Sequence, residues 1–232
     1  MSRKRGAKAS PDAPYGLRER PMLLASLDNP DTGCFEVHEG ERVVLLGASG
    51  SGKTTLLRQL LGITGPPRLR RGSPLAQRCA YVPETDGVFL DLSVLANVER
   101  PTPHARRIPA EEALDWLDLV GLSALAHRHA SELSTASRRR VALARALSRR
   151  APLLIIDGDL DGTLRPLLST LLECVPHLSS VVTATCTADD LAWNADSVVL
   201  VDSGRVVAQG PLPRLAVSQD VAVRTALRWV SP

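Results

Sequence analysis

GASGSGKT occupies residues 47–54. It satisfies G-x-x-x-x-G-K-[ST] in full. Its setting fits as well, because the apolar run RVVLL (42–46) precedes it and a helix-spaced run from Lys53 to Leu61 follows. Gly47, Gly50 and Gly52 let the backbone wrap a phosphate with its N–H groups pointing inward. The N-terminus of the following helix adds positive potential. Lys53 is placed to reach terminal phosphates, and the Thr54 hydroxyl to ligate Mg²⁺. A lysine and a hydroxyl residue after three glycines serve no packing purpose, which sets aside a glycine turn that binds nothing. The expected phosphate-binding set is Gly47, Ser49, Gly50, Ser51, Gly52, Lys53, Thr54 and Thr55.

A second stretch, LLIIDGDLDGTL (153–164), runs four apolar residues into Asp157. This reads as a buried strand ending in a carboxylate that holds the same magnesium through water. Thr54 and Asp157 are thus the metal-binding pair that these two stretches predict. These features alone also suit a small-molecule kinase.

Composition sets the frame. The chain has 232 residues, 44% hydrophobic and 23% charged, which suits one globular domain, or one with a subdomain. Only 3% is aromatic, so a base-stacking nucleic-acid surface is not expected. The net charge of +3 is mild and sits largely in residues 1–20, a Pro- and Arg-rich stretch read as a disordered, solvated tail. No stretch reaches the length of a membrane span, and the N-terminus shows no apolar signal region. Cys34, Cys79, Cys174 and Cys186 are scattered, which fits reduced thiols better than a disulfide frame or zinc site.

Along the chain, strands are expected at 22–27, 34–38, 42–46, 79–83, 153–157, 181–185 and 197–201, with a hairpin turn at Ser203-Gly204 into RVVAQ. Helices are expected over 53–61, within 84–134, from Arg138 to Arg149, over 164–174, just before 197 and over 221–230. Residues 62–78 read as an arginine-bearing loop. Alternating strands and helices predict an α/β fold with a mainly parallel sheet flanked by helices, a small antiparallel part and a helical insertion.

Several further segments keep one order. YVPE (81–84), VFLDLSVLANV (88–98), LSTASRRRVALARAL (133–147), PLLIID (152–157), TCTADDLAWNAD (185–196) and DSGRVVAQG (202–210) resemble successive motifs of ABC-type ATPases. The resemblance covers about residues 22–215. It implies a P-loop, RecA-like ATP-binding core over 21–83 and 135–215, a helical subdomain over 84–134 and a C-terminal helix over 216–232. It also implies that ATP with Mg²⁺ is the ligand. Two such domains are expected to stack head to tail, each nucleotide lying between one phosphate loop and the other chain's signature, here Ser134, Thr135 and Ala136. Integral membrane permease subunits would be the partners, and the chain would sit in the cytoplasm at the inner face of the membrane. The signature-like segment ahead of the Asp157 strand argues against the kinase. A soluble, non-hydrolysing scaffold of the same family stays open, and no nucleic-acid partner is expected.

The departures from the family pattern concern catalysis. Gly158 stands at the place of the catalytic glutamate, and Cys186 at that of the switch histidine. Glu84 replaces the Q-loop glutamine and adds negative charge near the metal, so the resemblance implies a metal set of Thr54, Asp157 and Glu84, while Thr135 and Ala136 replace two signature glycines. No catalytic residue is therefore intact. A positioned general base is worth roughly 10²–10⁴-fold in rate, or about 3–5 kcal/mol of barrier. Slow hydrolysis at this chain's own loop is expected, together with a heterodimer in which a more complete ABC ATPase is the partner. Asp159 and Asp161 read as solvated loop carboxylates, and Phe35 or Tyr15 as weak stand-ins for the adenine-stacking aromatic.

Overall fold

Runs such as RVVLL, LLIID and SVVTAT carry apolar residues on both strand faces, so each must be covered on both sides. The structure, a computed structural model, describes residues 21–64, 78–85, 87–100, 107–160, 162, 164–187 and 195–228. The expected tail, Tyr15, Asp161, most of the 62–78 loop and the short helix just before 197 lie outside the described residues.

β1 (Leu23–Asn29) and β2 (Gly33–His38) form an antiparallel hairpin. The main sheet holds β3 (Arg42–Leu46), β4 (Cys79–Val82), β5 (Leu153–Asp157), β6 (Ser180–Thr185), β7 (Ser197–Asp202) and β8 (Arg205–Gly210). Its order is β4-β5-β6-β3-β7-β8. All neighbours are parallel except the last pair. Every residue of β5 and β6 is buried, as the two-faced apolar pattern requires. Register places Leu46 beside Thr185 and Asp157 beside Ala184, so the carboxyl ends of β3, β5 and β6 finish together. That edge is where open α/β sheets bind ligands.

The helices are α1 (Lys53–Leu60), α2 (Val94–Glu99), α3 (Ala110–Leu119), α4 (Thr135–Leu147), α5 (Leu164–Cys174), α6 (Leu212–Ala216) and α7 (Val221–Arg228). α1 buries Leu56, Leu57 and Leu60 in a cluster with β1, β2 and the sheet. Trp116 and Leu117 of α3 share a second cluster with Val141 of α4 and Leu154 of β5. Ser93 caps α2 by accepting from the Ala96 amide at 3.1 Å. Asn97, fully buried, holds both the amide and the carbonyl of Phe89, at 2.7 and 2.9 Å.

Two details differ from the sequence reading. α4 starts at Thr135, not Arg138, because Ser134 caps it by accepting from the Ser137 amide at 3.2 Å. α6 was not anticipated; Pro211 and Pro213 pre-set its first turn, and Leu215 anchors it beside β7. All four cysteines are free. No helix among the described residues is long and apolar enough to cross a membrane.

Candidate nucleotide site

β3 ends where Gly47 begins the loop, and here glycine is a steric requirement. A Cβ at Gly47 would lie 2.2 Å from the Val201 carbonyl oxygen of β7 and 2.6 Å from Ser51 Oγ. The loop then turns through positive φ at Gly50 (77°) and Gly52 (98°). Gly204, in the β7–β8 turn, donates its amide to the Ser51 carbonyl at 2.8 Å, pinning the loop to the hairpin. Gly52 opens α1 with no side-chain cap, so amides of the first turn stay open to an anion. Lys53 folds back over the loop, its Nζ donating to the carbonyls of Gly47 (2.8 Å) and Ala48 (2.9 Å).

Across the cleft, Asp157 is only 2% exposed. Each of its carboxylate oxygens accepts one hydroxyl: Thr54 Oγ1 on Oδ1 and Tyr81 Oη on Oδ2, both at 2.9 Å. Burial first, then the bond to Asp157, pushes the Tyr81 phenol up to about 12. Burial lowers the Lys53 pKa, against the opposing pull of Cys186, Asp159, Glu84 and Asp157. Ser49, Gly50, Gly52, Lys53, Thr54, Thr55, Glu84, Asp157, Gly158 and Cys186 line one cleft of about 240 Å³, with Asp159, Ala184 and Thr185. Gly47 and Ser51 support this cleft without lining it.

The structure does not bring the signature residues to this cleft: Ser134 and Thr135 are exposed at the start of α4. The same helix reaches the site through Arg139, which donates to the Asp159 carbonyl at 2.7 Å and the Asp157 carbonyl at 3.2 Å. These bonds bracket Gly158, whose φ is +89°.

One expectation gains a detail and one is corrected. Asp159 is exposed in the loop after β5, as a solvated carboxylate would be, and it also gathers donors. It accepts from the Thr185 hydroxyl (2.7 Å), the Cys186 amide (3.0 Å) and the Cys186 thiol (3.5 Å). Burial pushes its carboxyl up, but these donors and Lys53 outweigh that, so its pKa ends below the ordinary value. Burial and Asp159 in turn raise the Cys186 thiol. Phe35 cannot stack on a base: it is 1% exposed, because alternation on β2 turns Phe35 and Val37 into the core. Tyr81, Asp159 and Arg139 were missed as members of the site. Tyr81 carried a signal in its place three residues before Glu84, but its partner depends on β4 lying beside β5.

The donor set fits a magnesium that draws most of its ligands from phosphate and water. A hydroxyl and a buried carboxylate already touch at the lysine end of the loop. Among the described residues no three His, Cys, Asp or Glu side chains gather to hold a metal on protein ligands alone.

A sequence profile of the family described as ABC transporter matches residues 32–159. The chain is 34% identical over 197 residues to sulfate/thiosulfate import ATP-binding protein CysA 1 of Rhizobium meliloti, covering 76% of this chain and 57% of that protein. It is 31% identical over 201 residues to thiamine import ATP-binding protein ThiQ of Yersinia pseudotuberculosis, covering 78% of this chain and 85% of that one. The chain thus spans little more than half the length of CysA 1 and most of ThiQ. The solved structure of cbiO1 from Clostridium perfringens, part of the ABC transporter complex cbiONQ, aligns with a TM-score of 0.64 at 22% identity. That alignment covers 90% of this chain and 96% of cbiO1, which supports the same fold.

Proposed function

The chain belongs to the ABC transporter ATP-binding family, and from that premise we propose that it is the ATP-binding subunit of an importer, with catalysis weakened at its own phosphate loop. ABC ATP-binding domains bind ATP with Mg²⁺, and residues 47–55 with Asp157 supply the groups such a ligand needs. With the nucleotide bound, Lys53 would leave the Gly47 and Ala48 carbonyls and give positive charge to the terminal phosphates. The first-turn amides of α1 would donate to phosphate oxygens, and Thr54 and Asp157 would hold the magnesium, whose chemistry is to screen phosphate charge. Importing relatives such as CysA 1 and ThiQ support the direction of transport.

One observation carries the weakened catalysis. The phosphate cradle is assembled, whereas β5 is followed by a glycine with no side chain, and β6 by a thiol whose pKa is raised. Two such sites in a homodimer would turn over too slowly to cycle a transporter. A heterodimer with a more complete ABC ATPase, docked on membrane-spanning permease subunits at the inner face of the membrane, follows from this reading. In that dimer Ser134, Thr135 and Ala136 would face the partner's nucleotide.

The test is affinity capture of the full chain from detergent-solubilised native membranes. Recovery of a multi-span permease and a second ABC ATPase is the expected result. Recovery of this chain as a homodimer, or with soluble proteins only, overturns the reading.

A further inference from the structure

Among the described residues three carboxylates line the cleft: Asp157, Asp159 and Glu84. Two are committed. Asp157 accepts hydroxyls from Thr54 and Tyr81. Asp159 accepts from the Thr185 hydroxyl and from the amide and thiol of Cys186, a set that holds it ionised and lowers its basicity. Glu84 accepts no hydrogen bond from the described residues, yet it lies within Coulombic reach of Lys53.

Its placement bears on the missing side chain at 158. A Cβ built on Gly158 would lie 2.9 Å from Glu84 Cγ and 3.3 Å from Glu84 Cβ. The stem of Glu84 therefore already fills the space into which a side chain at 158 would grow. With φ at +89° and Arg139 bonded to the carbonyls on either side, the backbone there is not disposed to accept one. One volume beside the phosphate loop admits one carboxylate, and in this chain it enters from the loop after β4.

We propose that Glu84, instead of completing the metal set with Thr54 and Asp157, supplies the water-activating carboxylate for this chain's own phosphate loop, in place of a side chain at 158. The proposal rests on the nucleotide reading above. In the step it serves, the Glu84 carboxylate takes one proton from the attacking water while that water's oxygen bonds to the γ-phosphorus. The bond from the phosphorus to the β–γ bridging oxygen breaks with its electron pair, leaving ADP and inorganic phosphate, and Glu84 then returns its proton to solvent. A base entering from a different loop, with no imidazole at 186, gives slow but Lys53-dependent turnover.

The experiment uses the full-length chain with Mg·ATP and reads binding, turnover and unfolding. Glu84→Gln keeps the size and removes the base. Its ATP affinity is expected to stay within about 3-fold of the parent, while Lys53-dependent hydrolysis falls about 10-fold or more. Gly158→Glu alone is expected to give no gain. The unfolding readout is a cycle of Gly158→Ala, Glu84→Ala and both. Since backbone strain at 158 is common to both arms, Gly158→Ala should lower the urea midpoint less when Glu84 is already truncated. Three results overturn the proposal: no Lys53-dependent turnover in the parent, turnover in Glu84→Gln equal to the parent, or additive unfolding effects in the cycle. Failure of the underlying reading is distinguishable, because the parent would then not bind ATP at all.

Discussion

Gly47→Ala places a β-carbon 2.2 Å from the Val201 carbonyl oxygen, some 1.2 Å short of the 3.4 Å at which ordinary contact begins. A surface loop could move aside by that much. Val201 cannot do so cheaply, since it belongs to β7, which is paired with β3 on one side and β8 on the other and is 1% exposed. The added carbon also lies 2.6 Å from Ser51 Oγ, inside the loop itself. Overpacking of this kind costs about 1–3 kcal/mol, and a rigid obstacle places the change at the upper end. For a chain of this length, each kcal/mol lowers Tm by about 2–4 °C, so a loss of about 4–12 °C is expected. Gly50→Ala is the control. Gly50 has φ +77°, and a β-carbon there would meet nothing within 4 Å, so its cost is backbone strain alone, about 1–2 kcal/mol. Urea and thermal unfolding of both variants measure the difference. If Gly47→Ala unfolds with the parent's midpoint, or costs less than Gly50→Ala, the close contact between phosphate loop and β7 is wrong.

Two further outcomes concern the surroundings of the site. Tyr81 is held at about 12 against an ordinary 10.0, and Cys79 at about 12 against 9.0, in both cases chiefly by burial. Both pKa values are raised by folding, so their stabilising contribution is full below pH 9 and is lost as pH climbs toward 12. Urea midpoints should therefore fall between pH 9 and 12, with the drop above pH 10 smaller in Tyr81→Phe; identical slopes in the two proteins would contradict the assignment. Arg145 donates to the Gly87 carbonyl at 2.6 Å and the Arg100 carbonyl at 3.2 Å, and stacks 4.5 Å over the Phe89 ring. Arg145→Ala should cost roughly 2–4 kcal/mol by thermal unfolding, and an unchanged melting temperature would show that these contacts carry no stability.

Much of the fold was legible because single residues punctuate apolar runs. RVVLL and LLIID had to be strands buried on both faces; the first runs into Gly47, which opens the phosphate loop, and the second ends in Asp157. The turn at Ser203-Gly204 was legible too, with φ of +48° and +77° that such a pair accommodates. What sequence could not supply was adjacency across distance. Tyr81 meets Asp157 only because β4 pairs with β5, a neighbour relation between segments some seventy residues apart. The donors of Asp159 were hidden because Thr185 and Cys186 arrive from the end of β6 and the residue after it, beside β5 in the sheet. The same holds for the crowding of Glu84 against Gly158, two positions whose departures from the family pattern look unrelated along the chain. Phe35 failed for a local reason: strand alternation, which was readable, assigned it to the core before any ligand was considered.

The central claim is that the phosphate cradle is competent to hold a nucleotide. Calorimetric titration of Mg·ATP into the full chain and into Lys53→Ala tests it most directly. The account predicts one saturable site in the parent, weakened by chelating the magnesium and at least about 10-fold weaker without the Lys53 ammonium, a loss of about 1.4 kcal/mol or more. No binding in the parent, or equal affinity in the two proteins, would contradict it.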